Sequence, residues 1–163
     1  MNRKKLYNRF LVWLFSDVNS RTITAFLLLP VLLPSLTIKK KWKPSKIESK
    51  DAFFLHASSN DEAIAKLTLR KQRLQEFDLE EQPIPVVVGE VNSACIGQNV
   101  YTVKTPLSAV DICCKVLFML KVELPPDSFL PLLFLRCYIF GIDPDGAREY
   151  QGLQTLQHDL MLA

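Results

Sequence analysis

Glycine is scarce in this chain. There are five in 163 residues, at 89, 97, 141, 146 and 152, and no two lie close enough to form a G-x-G-x-x-G run. Glycine-rich loops bring backbone N–H groups onto phosphate oxygens, so the isolated Gly89 encodes neither a dinucleotide-binding turn nor a Walker loop. Histidine is rarer, with only His56 and His158. No H-E-x-x-H pair and no G-x-S-x-G elbow occurs. The four cysteines, Cys95, Cys113, Cys114 and Cys137, lack the C-x-x-C or C-x-x-x-C spacing of a metal site and have no nearby histidine. Adjacent Cys113 and Cys114 would diverge on a helix, which suits neither a metal clamp nor a tight disulfide. Glu90 and Asp111 are too few for a three-carboxylate nuclease. We therefore assign no catalytic, cofactor-binding or metal-binding residue, and the chain reads as non-enzymatic.

A membrane-length apolar run is also missing. Residues 10–15, FLVWLF, follow a basic start and imitate a signal peptide. The stretch from Ile23 to Leu36 imitates a membrane segment but falls short of the roughly 20 apolar residues a spanning helix needs. Pro30 and Pro34 interrupt it and suit a bent or extended segment laid across a core. A membrane role is not expected.

What the chain has is apolar content of 48% and charge of 23%, the balance of a globular protein with one substantial core. The net charge of +3 is small but uneven. Arg3, Lys4, Lys5 and Arg9 crowd the start, and Lys39, Lys40, Lys41, Lys43, Lys46 and Lys50 crowd a second stretch around Trp42. We divide the chain into an apolar N-terminal segment (1–36), a basic segment leading into a helix (37–50) and a small α+β domain (51–163).

The periodicity predicts helices near 45–56, 61–77, 106–120, 129–140 and 149–160. Ser45 and Glu48 match a capping box. Ala63, Ile64, Leu67, Leu74 and Phe77 recur at helical intervals. Thr105-Pro106 is a helix start, with threonine as cap and proline at the first helical position. Asp111 and Lys115 form a solvent-side pair. Ser128 to Phe140 is apolar on nearly every face except at Arg136, so it should lie inside a core or at an interface. Gly141 would cap its end, and IDPDG (142–146) reads as a turn. Between 84 and 104, IPVVV and a hairpin around Gly97 predict strands, with Pro85 pointing to an edge position or a late start to the ladder. The expected fold is α+β, with four or five helices packed on a small three-stranded antiparallel sheet. Cys113, Cys114 and Cys137 would be buried and reduced, as in an intracellular protein of the nucleus or cytoplasm.

Three stretches carry a resemblance: KWKPSKIESKDAFFLHA, AKLTLRKQRLQEFDLEEQPIPVVVGEV, and YTVKTPLSAVDICCKVLFMLKVELPPDSFLPLLFLRCYIFGI. In this order they resemble the C-terminal region of uncharacterised metazoan proteins. Those proteins occur in many near-copies in fish and arthropod genomes, some behind a sterile-alpha-motif domain, a distribution like that of mobile elements. The likeness runs from about Thr24 to the end. Pro131 and Leu124 depart from the pattern, which has ordinary helix formers and an aromatic there. Residues 1–22 fit a truncated or divergent remnant of a larger upstream region. The resemblance implies no activity.

Two functions are consistent with these residues. The first is a protein-interaction or structural module that binds a protein partner, or itself, through apolar helices. The alternative is a nucleic-acid-associated module of a mobile-element-derived protein. In that case Lys39, Lys40, Lys41, Lys43 and Lys46 would contact phosphates and Trp42 would stack a base. The plainer reading of the run is a solvated linker.

Overall fold

The computed structural model describes residues 19–38, 42–142 and 150–162. Chain order begins with α1 (Asn19–Leu32), α2 (Lys46–Phe53), β1 (Leu55–Ala57) and α3 (Asn60–Glu76). Next come β2 (Ile84–Val88), β3 (Val91–Ile96), β4 (Asn99–Val103) and α4 (Pro106–Met119). A 3-10 turn (Pro126–Ser128), α5 (Phe129–Phe134), a π turn (Leu135–Ile139) and α6 (Gln151–Leu162) complete the described chain.

The architecture is α+β, but the expectation of four or five helices on a three-stranded antiparallel sheet is corrected. The described residues form six α-helices and one four-stranded sheet of order β1-β2-β3-β4. The added strand, β1, runs parallel to β2, with Leu55 beside Val86 and Ala57 beside Val88. Its residues looked like the end of the helix near 45–56. That helix stops at Phe53, and Phe54 turns into extended backbone. Its new direction is fixed by pairing with residues some 30 positions further on, joined through α3.

The added helix, α1, includes Pro30 in its last turn. Proline at this position withholds the N–H that would serve the Phe26 carbonyl, one helical bond lost near the end of the helix. Carbonyls at the helix end are served from outside, with Lys46 donating from Nζ to those of Pro30 and Leu33.

Pro85 does not sit at an edge, since β2 is flanked on both sides. The ladder explains how this is tolerated. Val88 and Val91 close a two-residue turn at Gly89-Glu90, so β2 bonds to β3 through Val88, Val86 and Ile84. The amide at position 85 would face β1, and β1 begins opposite Val86. No donor is needed there.

Alternation along β2 separates two cores. Val87 joins the larger core, with Phe26 and Leu29 of α1, Leu33 just beyond it, Phe53 of α2, Val110, Cys114 and Leu117 of α4, and most of α5. Ile84 and Val86 face the smaller core, with Leu55, Ala57 and Ala63. The nearly all-apolar 129–140 segment is interior as expected, with Leu130 to Leu135 and Cys137 buried. It is a broken rod rather than one helix, passing from 3-10 to α to π geometry.

Several helix ends follow their local code. Thr105 caps α4, accepting from the Ser108 amide at 3.1 Å. Asp78 and Lys121 take left-handed backbone after α3 and α4, and each is followed by a bond back to the helix, Leu79 to Leu74 and Val122 to Leu117. Gly141, at φ +70, ends the π turn. Gly152 lets α6 approach the chain beyond α1, because a Cβ there would lie 2.9 Å from the Pro34 ring. The expected 142–146 turn lies largely outside the described residues.

Candidate interaction site

The surface between α2 and α3 gathers charged side chains around an apolar floor. Each helix is set by its own start. Ser45 accepts from the Glu48 amide at 3.1 Å, and Glu48 Oε2 accepts from the Ser45 amide at 2.7 Å, completing the expected capping box. Ser59 caps α3 in the same way, accepting from the Glu62 amide at 3.2 Å. The Glu62 carboxylate turns back to accept from the Ser58 amide and hydroxyl at 2.8 and 2.7 Å. The Ser58 hydroxyl first, then the Ser58 amide and Lys66, hold its carboxyl down from the usual 4.5 to about 2.

Between these helices is an open cavity of about 100 Å³ lined by Trp42, Ala52, Ile47 and Leu69. Ile47 is 68% exposed and Leu69 67% exposed, so two large aliphatic side chains face solvent on opposite helices of one groove. The charges around them are largely paired. Arg70 donates to Asp127 from Nε at 2.8 Å and from Nη2 at 3.1 Å. This fork joins α3 to the 3-10 turn, with the Asp127 side chain 3% exposed. Lys66 Nζ lies 2.9 Å from Glu62 and 3.7 Å from Asp51, and donates to the His56 carbonyl. Arg73 reaches Glu76 at 2.8 Å and Glu48 at 3.8 Å.

Trp42 is placed differently from a base-stacking residue. It is 7% exposed and stacked on Phe77, ring centres 4.7 Å apart and planes within 11°. Arg73 lies 5.5 Å from the centre of each ring. Its indole Nε1 is buried without a hydrogen-bond partner. Of the other expected nucleic-acid contacts, Lys43 is exposed. The Lys46 ammonium is tied to the α1 carbonyls, and burial, then Lys43, pushes its pKa down. Lys39, Lys40 and Lys41 lie outside the described residues. Of the six positions, the structure describes Trp42, Lys43 and Lys46.

Sequence reading missed both contacts that build the groove. Trp42 meets Phe77 and Arg70 meets Asp127 only through tertiary packing, and neither leaves a local pattern. Position 127 follows a double proline and reads as an ordinary turn aspartate.

The thiols are as expected. Cys113, Cys114 and Cys137 are buried, and Cys95 is half-buried. Burial first, then Cys95, pushes the Cys113 thiol up to about 12, and burial raises Cys114 and Cys95 as well. Such groups hold their protons at neutral pH and are poor nucleophiles. Asp111 pairs with Lys115 at 2.5 Å on the solvent side. Among the described residues no three His, Cys, Asp or Glu side chains gather as a metal site, and no helix is long and apolar enough to cross a membrane.

Compared with known proteins, the chain matches no family model, no curated protein and no solved structure.

Proposed function

We propose that this chain is a non-enzymatic protein-interaction module of an intracellular protein, and that its α2–α3 groove takes an apolar side chain of a partner segment. The observation that carries the reading is the exposure of Ile47 and Leu69 on either side of a cavity large enough for one aliphatic side chain. Interfaces draw their affinity from a few apolar anchors seated in such pockets. The surrounding ion pairs support this, because paired charges form a polar rim and fix the two helices relative to each other.

The test is a peptide-display selection against the folded chain, followed by titration of selected peptides against the parent and Ile47→Glu/Leu69→Glu. Peptides with an aliphatic anchor should bind the parent and lose at least tenfold in affinity to the double variant. Selected peptides that bind both proteins equally would overturn the assignment.

The second reading is a nucleic-acid-associated module of a mobile-element-derived protein. The exposed Lys43 beside the Lys39–Lys41 run favours it. With Trp42 buried, binding would rest on phosphate contacts, each contributing about −0.9 to the salt slope on duplex DNA. Replacing Lys39, Lys40 and Lys41 with alanine should then weaken binding and flatten the slope by up to about 3. Equal affinity and slope in both proteins would remove this role.

A further inference from the structure

β4 is an edge strand of the sheet, and among the described residues no strand pairs with its outer side. Ile96 and Asn99 flank a two-residue turn at Gly97-Gln98, and the register continues unbroken to Asn92 and Val103. In such a hairpin the flanking pair exchanges both hydrogen bonds, and bonded pairs alternate from there. Asn99, Tyr101 and Val103 therefore direct their N–H and C=O groups to β3. Val100 and Thr102 direct theirs out of the sheet. Asn99 to Thr102 are all exposed, with Val100 at 66% and Tyr101 at 50%.

Edge strands are normally guarded by lysine, proline or a bulge. From Asn99 to Val103 there is no charge, no proline and no break in register. Three of the five residues, Val100, Tyr101 and Val103, are β-branched or aromatic and apolar.

We infer that β4 pairs antiparallel with β4 of a second copy of this chain, about a two-fold axis at Tyr101. A second copy fits better than an arbitrary peptide because the open strand is its own complement. Residues 99–103 are symmetric about 101, so only this register pairs all five. It sets the outward groups of Val100 against those of Thr102 in the second copy, and the reverse, giving four backbone bonds. It also sets the two Tyr101 rings side by side. Charge permits the same register. The nearest cation, Lys104, falls opposite the neutral Gln98 of the second copy, and the two Lys104 side chains lie at opposite ends of the joined strands. The result is a continuous eight-stranded sheet, independent of the α2–α3 groove.

The direct test is the solution mass by sedimentation, measured over a concentration series. The parent should move from 18.6 kDa toward twice that mass as concentration rises. Thr102→Pro should abolish the heavier species while keeping the parent's circular dichroism, because position 102 gives no bond to β3. Should that variant fail to fold, Val100→Lys/Thr102→Lys serves instead. It places lysines directly opposite each other in the joined strands and leaves the β3–β4 bonds untouched. The register is read by oxidation, with Cys95 replaced by serine. Tyr101→Cys should cross-link two chains, since non-bonded antiparallel partners lie about 4.5 Å apart at Cα, within disulfide range. Asn99→Cys, set across from Val103 of the other copy, should not. A parent that keeps the single-chain mass up to its solubility limit would overturn the inference. So would a heavier species that survives in a folded variant, or equal cross-linking at 99 and 101.

Discussion

The two faces of the sheet are built for different ends. On one face Val87 meets α1, α2, α4 and α5, and the buried side chains include Phe26, Phe53, Leu117 and Phe134. On the other a few residues, Leu55, Ala57, Ala63, Ile84 and Val86, form a small core under α3. Beyond that core the second face opens to solvent at Val91 and Val100. The larger core buries big side chains against one another and stabilises the fold through apolar area. The α3 side instead carries most of the described ion pairs and one wall of the groove. Under the proposed function, the larger core would supply most of the stability and the α3 side would be the side for contact.

The largest effects expected from breaking this contrast lie at two kinds of site. Phe134→Ala should cost about 3–5 kcal/mol of unfolding free energy by leaving a cavity in the larger core. Ile84→Val, in the smaller core, should cost only about 0.5–1.5 kcal/mol. Both are read from denaturant midpoints. On the α3 side the effect of comparable size is electrostatic. Arg70→Ala leaves the buried Asp127 carboxylate without its fork and should cost about 3–5 kcal/mol. The double variant Arg70→Met/Asp127→Leu should recover most of that loss, because both charges are removed together.

A smaller effect is expected at Gly152. Alanine is the better helix former by up to about 1 kcal/mol, but the added methyl would press on the Pro34 ring at 2.9 Å. Overpacking should win, with a net destabilisation of about 1–2 kcal/mol in thermal unfolding.

The smallest effect is a pH dependence at the start of α3. Glu62 has its pKa depressed in the fold, from 4.5 to about 2, so its contribution is present above 4.5 and fades as pH falls toward about 2. The difference in midpoint between the parent and Glu62→Gln should be visible at neutral pH and vanish in that acid window. A difference that stays constant across the window would contradict the sign.

The elements legible in the sequence are those whose signals are local. The capping box at Ser45, the threonine cap and proline start of α4, the periodicity of α3 and the Gly97 hairpin each stand within a few residues of the structure they specify, while the cap of α3 is Ser59 and not Asn60 or Asp61. β1 was hidden because Phe53, Phe54 and Leu55 continue an apolar run, while the partner that makes them a strand lies at Val86 to Val88. α1 was hidden because Pro30 argues against a helix, and the donor to the carbonyls at its end, Lys46, comes from the next element. The groove was hidden for the same reason. Trp42 in a basic run resembles a stacking residue until Phe77 covers one face of its ring and Arg73 lies beside the stacked pair.

The central claim is that the groove serves contact and not stability, and one paired measurement tests it most directly. Unfolding free energy and peptide affinity are determined on the same preparation of Ile47→Glu/Leu69→Glu. The account predicts stability within about 0.5 kcal/mol of the parent, as for exposed positions, together with loss of peptide binding. A double variant destabilised as severely as Phe134→Ala, or one that still binds the selected peptides with the parent's affinity, would contradict it.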